Sequence, residues 1–231
     1  MIIKVNNISK SFGNIKVLYN ISFEIEENKS VFLIGPNGAG KTTTLRILSG
    51  ILKPDSGEVY IKGINLFENP REAKKYIGYL PEDPIPFINL SVEENLEYIG
   101  LLRNVKDLYN KIDFYLEFFD LKKYRNYRAM NLSRGNRQKL SLSMILLPEP
   151  EILLLDEPLN YLDIETQYKV IELLKKIKST KLISTHIISL ADKLAEKTIL
   201  IKGGKIIYEG NVEKLRENGN LEENIIKLLK Q

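Results

Sequence analysis

The most constraining feature of this chain is Gly35-Pro36-Asn37-Gly38-Ala39-Gly40-Lys41-Thr42. It matches the phosphate-loop pattern GxxxxGK[ST]. An apolar run, Val31 to Ile34, precedes it, and a helical pattern from Thr42 to Ser49 follows, stopped by Gly50. That strand–loop–helix context separates a phosphate cradle from a glycine-rich turn that matches by chance. The glycines let successive backbone N–H groups face one anion, and the helix N-terminus adds its positive dipole end. Lys41 brings a mobile charge and Thr42 a hydroxyl suited to Mg²⁺. A chain with this element must build a parallel α/β sheet around it.

A second element fits the first. Ile152 to Leu155 is a buried-strand pattern ending in Asp156-Glu157. In open α/β sheets ligands collect at the C-terminal ends of strands. Asp156 is placed there for the metal shell, and Glu157 follows it within reach of a water. Together the two elements define a P-loop NTPase, a class spanning kinases, GTPases, helicases and transporters.

Other strands are expected at Ile2 to Val5, Val17 to Leu18, Ile21 to Ile25, Gly57 to Ile61 and Ile77 to Leu80. Further strands are expected at Lys181 to Ser184, Ile199 to Ile201 and Lys205 to Tyr208. Gly13-Asn14 and Gly203-Gly204 are turn signals. Pro70 to Lys75 reads as a short helix, and Leu221 to Leu229 as an amphipathic one. Pro81 to Pro86 carries three prolines in six residues, which excludes regular structure. Ser91 to Leu147 is almost wholly helical in periodicity, and Ser91 with Glu94 makes a capping box. The expected organisation is one domain over 1–231. Its α/β core comprises 1–82 and 151–231, and a helical insertion spans 83–150.

Bulk properties narrow the class. There is no cysteine, so disulfides, zinc thiolate sites and cysteine nucleophiles are excluded. Lys and Arg exceed Asp and Glu by 34 to 30, without a block of like charge that would point to nucleic acid. No segment approaches the ~18 apolar residues of a membrane span. The N-terminus lacks the charged-then-apolar order of a signal peptide. A soluble cytoplasmic protein is expected, with any membrane role exercised through a partner.

Four more segments make the chain resemble ABC transporter ATPases. Leu132-Ser133-Arg134-Gly135-Asn136 is similar to the LSGGQ signature. Ile77 to Glu82 resembles the Q-loop, Leu159 to Asp163 the D-loop, and Ser184-Thr185-His186 the H-loop. Phe12 matches the aromatic position that stacks on adenine. His186 is the one histidine in the sequence. The resemblance implies a RecA-like, mainly parallel core with an N-terminal antiparallel β subdomain and an inserted α-helical subdomain. It implies ATP bound by Phe12, by Gly35 to Lys41, and by Thr42, Thr43, Glu82, Ser133, Gly135 and Asp163. It further implies Mg²⁺ on Thr42, Glu82 and Asp156, and hydrolysis by Glu157, His186 and Lys41.

The partners it implies are a second copy or a paralogous subunit, joined head to tail, and an integral membrane permease. The chain would then sit on the cytoplasmic face of the membrane. Glu82 where the family usually has glutamine, and the tail from Asn220 to Ile226, resemble a group of exporters of drugs, polysaccharides or ions. Arg134 and Asn136 depart from the signature while Ser133 and Gly135 keep it. Asn28 replaces a usual glycine before the central strand, and asparagine tolerates left-handed backbone. Two other classes compete. One is a non-transport ABC ATPase of ribosomes or DNA repair, against which stand the single ATPase domain and the lack of a sustained heptad repeat. The other is an ATP sensor without turnover, against which stand Glu157 and His186.

Overall fold

The structure is a computed structural model that describes residues 1–84, 86–186, 188, 193–216 and 220–230. Its strands are β1 Ile3–Phe12, β2 Ile15–Ile25, β3 Ser30–Ile34, β4 Ser56–Ile61 and β5 Ile64–Asn65, then β6 Ile77–Leu80, β7 Ile152–Asp156, β8 Thr180–Thr185, β9 Lys197–Lys202 and β10 Lys205–Asn211. Its helices are α1 Lys41–Leu48, α2 Pro70–Ala73, α3 Val92–Leu102, α4 Leu108–Phe118 and α5 Arg134–Leu146, then α6 Ile164–Lys176, α7 Val212–Arg216 and α8 Leu221–Lys230.

Two sheets form among the described residues. One is antiparallel, in the order β2-β1-β4-β5; the other runs β10-β9-β3-β8-β7-β6. In the second, β9, β3, β8, β7 and β6 are parallel, and only β10 runs against its neighbour. β3 and β7 are buried at every position, because a parallel sheet of this kind is covered on both faces. Alternate residues serve the two faces. Phe32, Ile34, Leu153 and Leu155 pack with α3 to α6, while Val31, Leu33, Ile152 and Leu154 pack with α1 and the antiparallel sheet.

Helices α3, α4 and α5 lie between β6 and β7 in the chain. α3 opens on the expected capping box: Glu94 N–H donates to Ser91 Oγ at 3.1 Å, and Ser91 N–H donates to Glu94 Oε2 at 2.7 Å. No regular element falls between Pro81 and Pro86 among the described residues, and Ile85 lies outside them.

Several elements differ from the sequence expectation. Val17–Leu18 and Ile21–Ile25 belong to one strand, β2, interrupted by the left-handed Asn20 (φ 51°). β1 runs on to Phe12, past Asn7 (φ 49°), with register shifts between Val5 and Ile8. Such bulges break the period-2 alternation by which a strand is read. Helix α6 and the short β5 and α7 went unforeseen. α6 has a legible start in Asp163, whose carboxylate accepts from Thr166 N–H at 2.8 Å.

Asn28 does adopt the left-handed region, at φ 59°. Its N–H donates to Thr180 Oγ1 at 2.8 Å, fixing the entry to β3. Asn28→Val is therefore expected to cost about 1–2 kcal/mol, and Asn28→Gly to retain full stability. Urea unfolding checks this; equal midpoints for the valine and wild-type proteins would contradict it.

Candidate active site

Parallel pairing gathers the motif loops at one edge of the sheet. Ile34 pairs with Thr185, Asp156 with Ser184, and Leu80 with Leu155. The phosphate loop, the Asp156-Glu157 pair, His186 and the Pro81-Glu82 segment therefore all leave strands in the same direction and at matched height.

The phosphate loop is tightly determined. Gly40 sits at φ 107°, and a Cβ there would lie 2.5 Å from Leu18 Cδ2, so only glycine fits. Lys41 is buried, its Nζ donating to the carbonyls of Gly35 at 2.7 Å and Pro36 at 3.3 Å. A lysine so held keeps its charge inside the loop's own curve. Pro36, Asn37 and Gly38 are exposed, Ala39 is buried, and Thr42 and Thr43 are half-buried at the start of α1.

A four-residue cluster stands at the ends of β7 and β8. Asp156 and Glu157 are both buried. The Ser184 hydroxyl donates to Asp156 Oδ1. Glu157 N–H reaches Ser184 O at 3.1 Å and Ser184 Oγ at 3.2 Å. Glu157 Oε1 lies 2.9 Å from His186 Nδ1, and His186 N–H points at Glu157 Oε2 at 3.4 Å. The histidine ring is 56% exposed while the glutamate is buried, so the carboxylate anchors an imidazole that faces outward. Glu157 itself has φ 48°, a left-handed backbone of the kind that collects at functional sites. Ser184 enters the motif reading only as the first residue of the H-loop segment, with no role of its own. Its signal was position, one strand residue opposite Asp156.

Asp156 Oδ2 is buried without a hydrogen-bond partner, and so is the nearby Tyr79 hydroxyl. Burial, reinforced by the Asp156 charge, pushes the Tyr79 phenol up to about 12. An orphaned carboxylate oxygen at the end of β7, and the hydroxyl that opens the helix packed against that strand, offer hard oxygen donors suited to Mg²⁺, which takes few protein ligands and fills its shell with water and phosphate. Thr42 and Asp156 fit that ion. Glu82 is exposed at the end of β6, and no hydrogen bond or ion pair joins it to Thr42 or Asp156 among the described residues.

The remaining candidates are dispersed. Phe12 is 49% exposed at the end of β1, with Lys10 Nζ 5.8 Å from its ring centre. Ser133 caps α5, accepting from Asn136 N–H at 3.2 Å, and is exposed. Among the described residues no hydrogen bond joins Ser133 or Gly135 to the phosphate loop. Asp163 is committed to capping α6. The Thr166 N–H and hydroxyl, aided by Lys139, hold its carboxyl down at about 2.

Comparison with known proteins gives a consistent picture. The ABC transporter family pattern matches residues 18–160. The chain is 36% identical to the molybdate/tungstate import ATP-binding protein WtpC of Methanocaldococcus jannaschii, over 94% of this chain and 73% of that protein. It resembles a solved structure of the ATP-binding subunit of an ABC transporter, with TM-score 0.92, 25% identity and 99% of each chain covered. It also resembles a dimeric post-hydrolysis state of the ATP-binding cassette MJ0796 bound to ADP and Pi, with TM-score 0.83, 28% identity, and 90% and 98% covered.

Ser184→Ala removes the one side-chain donor to Asp156 among the described residues, and the hydroxyl beside Glu157 N–H. It is expected to cost about 1–3 kcal/mol of stability. Activity should fall by about 10–100-fold, as for lost partners of metal-binding carboxylates. Urea unfolding and a Mg²⁺ titration of phosphate release check both; unchanged Mg²⁺ dependence would contradict the assignment.

Proposed function

Because this chain belongs to the ABC transporter family, we propose that it powers a separate membrane permease by closing on ATP as a head-to-tail dimer. Its coarser identity is an ATP-binding, ATP-hydrolysing subunit of a transporter. The observation that carries the finer reading is the divided site. Lys41, Asp156, Glu157 and His186 converge at one sheet edge, while Ser133 and Gly135 open α5, and among the described residues no hydrogen bond joins them to the phosphate loop. A helix N-terminus with a capping hydroxyl whose own proton can still be donated is an anion site. A second copy supplies the missing anion, the γ-phosphate of its own ATP.

In this reading Phe12 stacks on adenine and the Gly35–Thr43 segment cradles the phosphates. Lys41 leaves the Gly35 and Pro36 carbonyls to meet the β- and γ-oxygens. Thr42, Asp156 and Glu82 would hold Mg²⁺, which when bound would supply charge neutralisation for the phosphates. Glu157 accepts a proton from the attacking water. His186, anchored through Nδ1, presents its other edge to the γ-phosphate. Asp163 lies in the loop that meets the partner copy. Loss of the γ-phosphate removes the shared anion, so the dimer reopens.

The permease contact is proposed for a cleft of about 310 Å³ lined by Ile51, Leu80, Pro81, Phe87, Ile99 and Met144 among others. Phe87 and Ile51 are exposed there, and the cleft is continuous with the proline segment after β6. A cytoplasmic apolar helix of the permease fits that chemistry, and Pro81 to Pro86 would carry its movement to Glu82. No described helix is long and apolar enough to cross a membrane, and we place the chain at the cytoplasmic face through this contact. Export is the proposed direction, on the strength of Glu82 and the α8 tail. The importing relative keeps import as the second reading.

Glu157→Gln is expected to bind MgATP, form a stable dimer and turn over at least ~100-fold more slowly. Sedimentation and phosphate release read this; hydrolysis near wild type would refute the proton acceptor. Lys41→Ala is expected to lose about tenfold or more in ATP affinity, measured by titration. His186→Ala should keep that affinity and lose turnover by about 100-fold; unimpaired turnover would reduce His186 to a structural part.

A further inference from the structure

Arg134 occupies a signature position and is the first residue of α5. Its guanidinium pairs with Asp83, the residue after Glu82. The same guanidinium lies 3.7 Å from the centre of the Tyr161 ring. Asp83 belongs to the loop leaving β6, and Tyr161 to the loop leaving β7. One side chain on α5 therefore joins two separate loops.

The α5–Tyr161 side of this junction is built closely. A Cβ on Gly135 would stand 2.7 Å from Tyr161 O, so the backbones touch. Tyr161 has φ 66°. Gln138 Nε2 donates to Pro158 O at 3.0 Å, and Lys139 lies 3.6 Å from Asp163. α5 is thus tied several times over to the loop that begins at Glu157. Among the described residues its one hydrogen bond or ion pair to the loop after β6 is through Arg134. Arg134 is 54% exposed and Asp83 74%. Exposed pairs of this kind add little to global stability, so the consequence of the bridge is orientation.

We infer that Arg134 is a positioning residue that locks the Ser133–Gly135 helix start to both the Asp83 loop and the Tyr161 loop. Movement of the segment after β6 then re-aims the anion site that the partner copy uses. Arginine makes both contacts and lysine only the ion pair, because the flat guanidinium can stack on the ring while pairing with a carboxylate at its edge. This inference rests on the proposed reading that Ser133 and Gly135 serve a second copy's nucleotide.

The test measures the ATP concentration for half-dimerisation in the Glu157→Gln background by sedimentation. ATP affinity and melting temperature are recorded beside it. Arg134→Ala and Asp83→Asn should each raise the midpoint by about 5-fold, the scale of an exposed ion pair and cation–π contact. ATP affinity under conditions that keep the chain monomeric should stay within about 2-fold, and melting should not move. The double variant should be no worse than Arg134→Ala, since both act through one bridge. Arg134→Lys should recover part of the loss, by keeping the pair with Asp83, and Tyr161→Leu should reproduce the rest.

Two results would overturn the inference alone while the parent still dimerises. One is an Arg134→Ala midpoint equal to the parent. The other is an Asp83→Asn dimer tighter than the parent, which would mean that Arg134 acts directly across the interface and Asp83 restrains it. A Glu157→Gln parent that stays monomeric in saturating MgATP overturns the underlying reading and this inference with it.

Discussion

The parallel register of β3, β8 and β7 is the constraint on which everything else rests. It matches Ile34 to Thr185 and Asp156 to Ser184. In that register Ser184 stands within hydrogen-bond reach of Asp156 and of the Glu157 N–H. A slip of one residue would turn Ser184 to the opposite face of the sheet and leave a buried carboxylate without its donor. The all-buried apolar strands make that slip costly, because both faces of the sheet are packed. Hydrophobic burial thus sets the height at which the polar groups meet.

The site so assembled is one-sided. Lys41, the carboxylates and the imidazole come from sheet loops, and the anion donors proposed for the partner's nucleotide stand at the start of α5, joined to the phosphate loop by no hydrogen bond among the described residues. An enclosed active site would exclude water by itself. In the proposed reading the open edge and the helix start at Ser133 act as complementary halves, and the catalytic unit contains two chains. The proline segment after β6 lies where a membrane partner's movement could alter both halves, through Glu82 toward the phosphates and through Asp83 toward Arg134.

Much of this was legible in sequence, for physical reasons. A phosphate cradle needs glycine at left-handed positions, a lysine and a hydroxyl in fixed order, so its chemistry is written locally. Buried parallel strands read as apolar runs because neither face is wet. The legibility failed where local rules were interrupted. Asn7 and Asn20 bulge the first hairpin, which shortened β1 and split β2 in the reading. Asp163 was read as a loop residue from its motif, although Asp163 followed by Thr166 is also a helix cap, and α6 was missed with it. Ser184 and Arg134 were beyond local rules altogether. Their roles come from contacts with Asp156 and Asp83, 28 and 51 residues away in the chain.

The central claim is that one nucleotide is held by Lys41 of one chain and Ser133 of another. The most direct measurement mixes two inactive variants, Lys41→Ala with an intact α5 start and Ser133→Glu with an intact phosphate loop. One complete site then forms per mixed dimer, so the mixture should hydrolyse ATP well above the sum of the separate proteins. Turnover in the mixture that never exceeds that sum, with both variants folded and able to associate, would contradict the account.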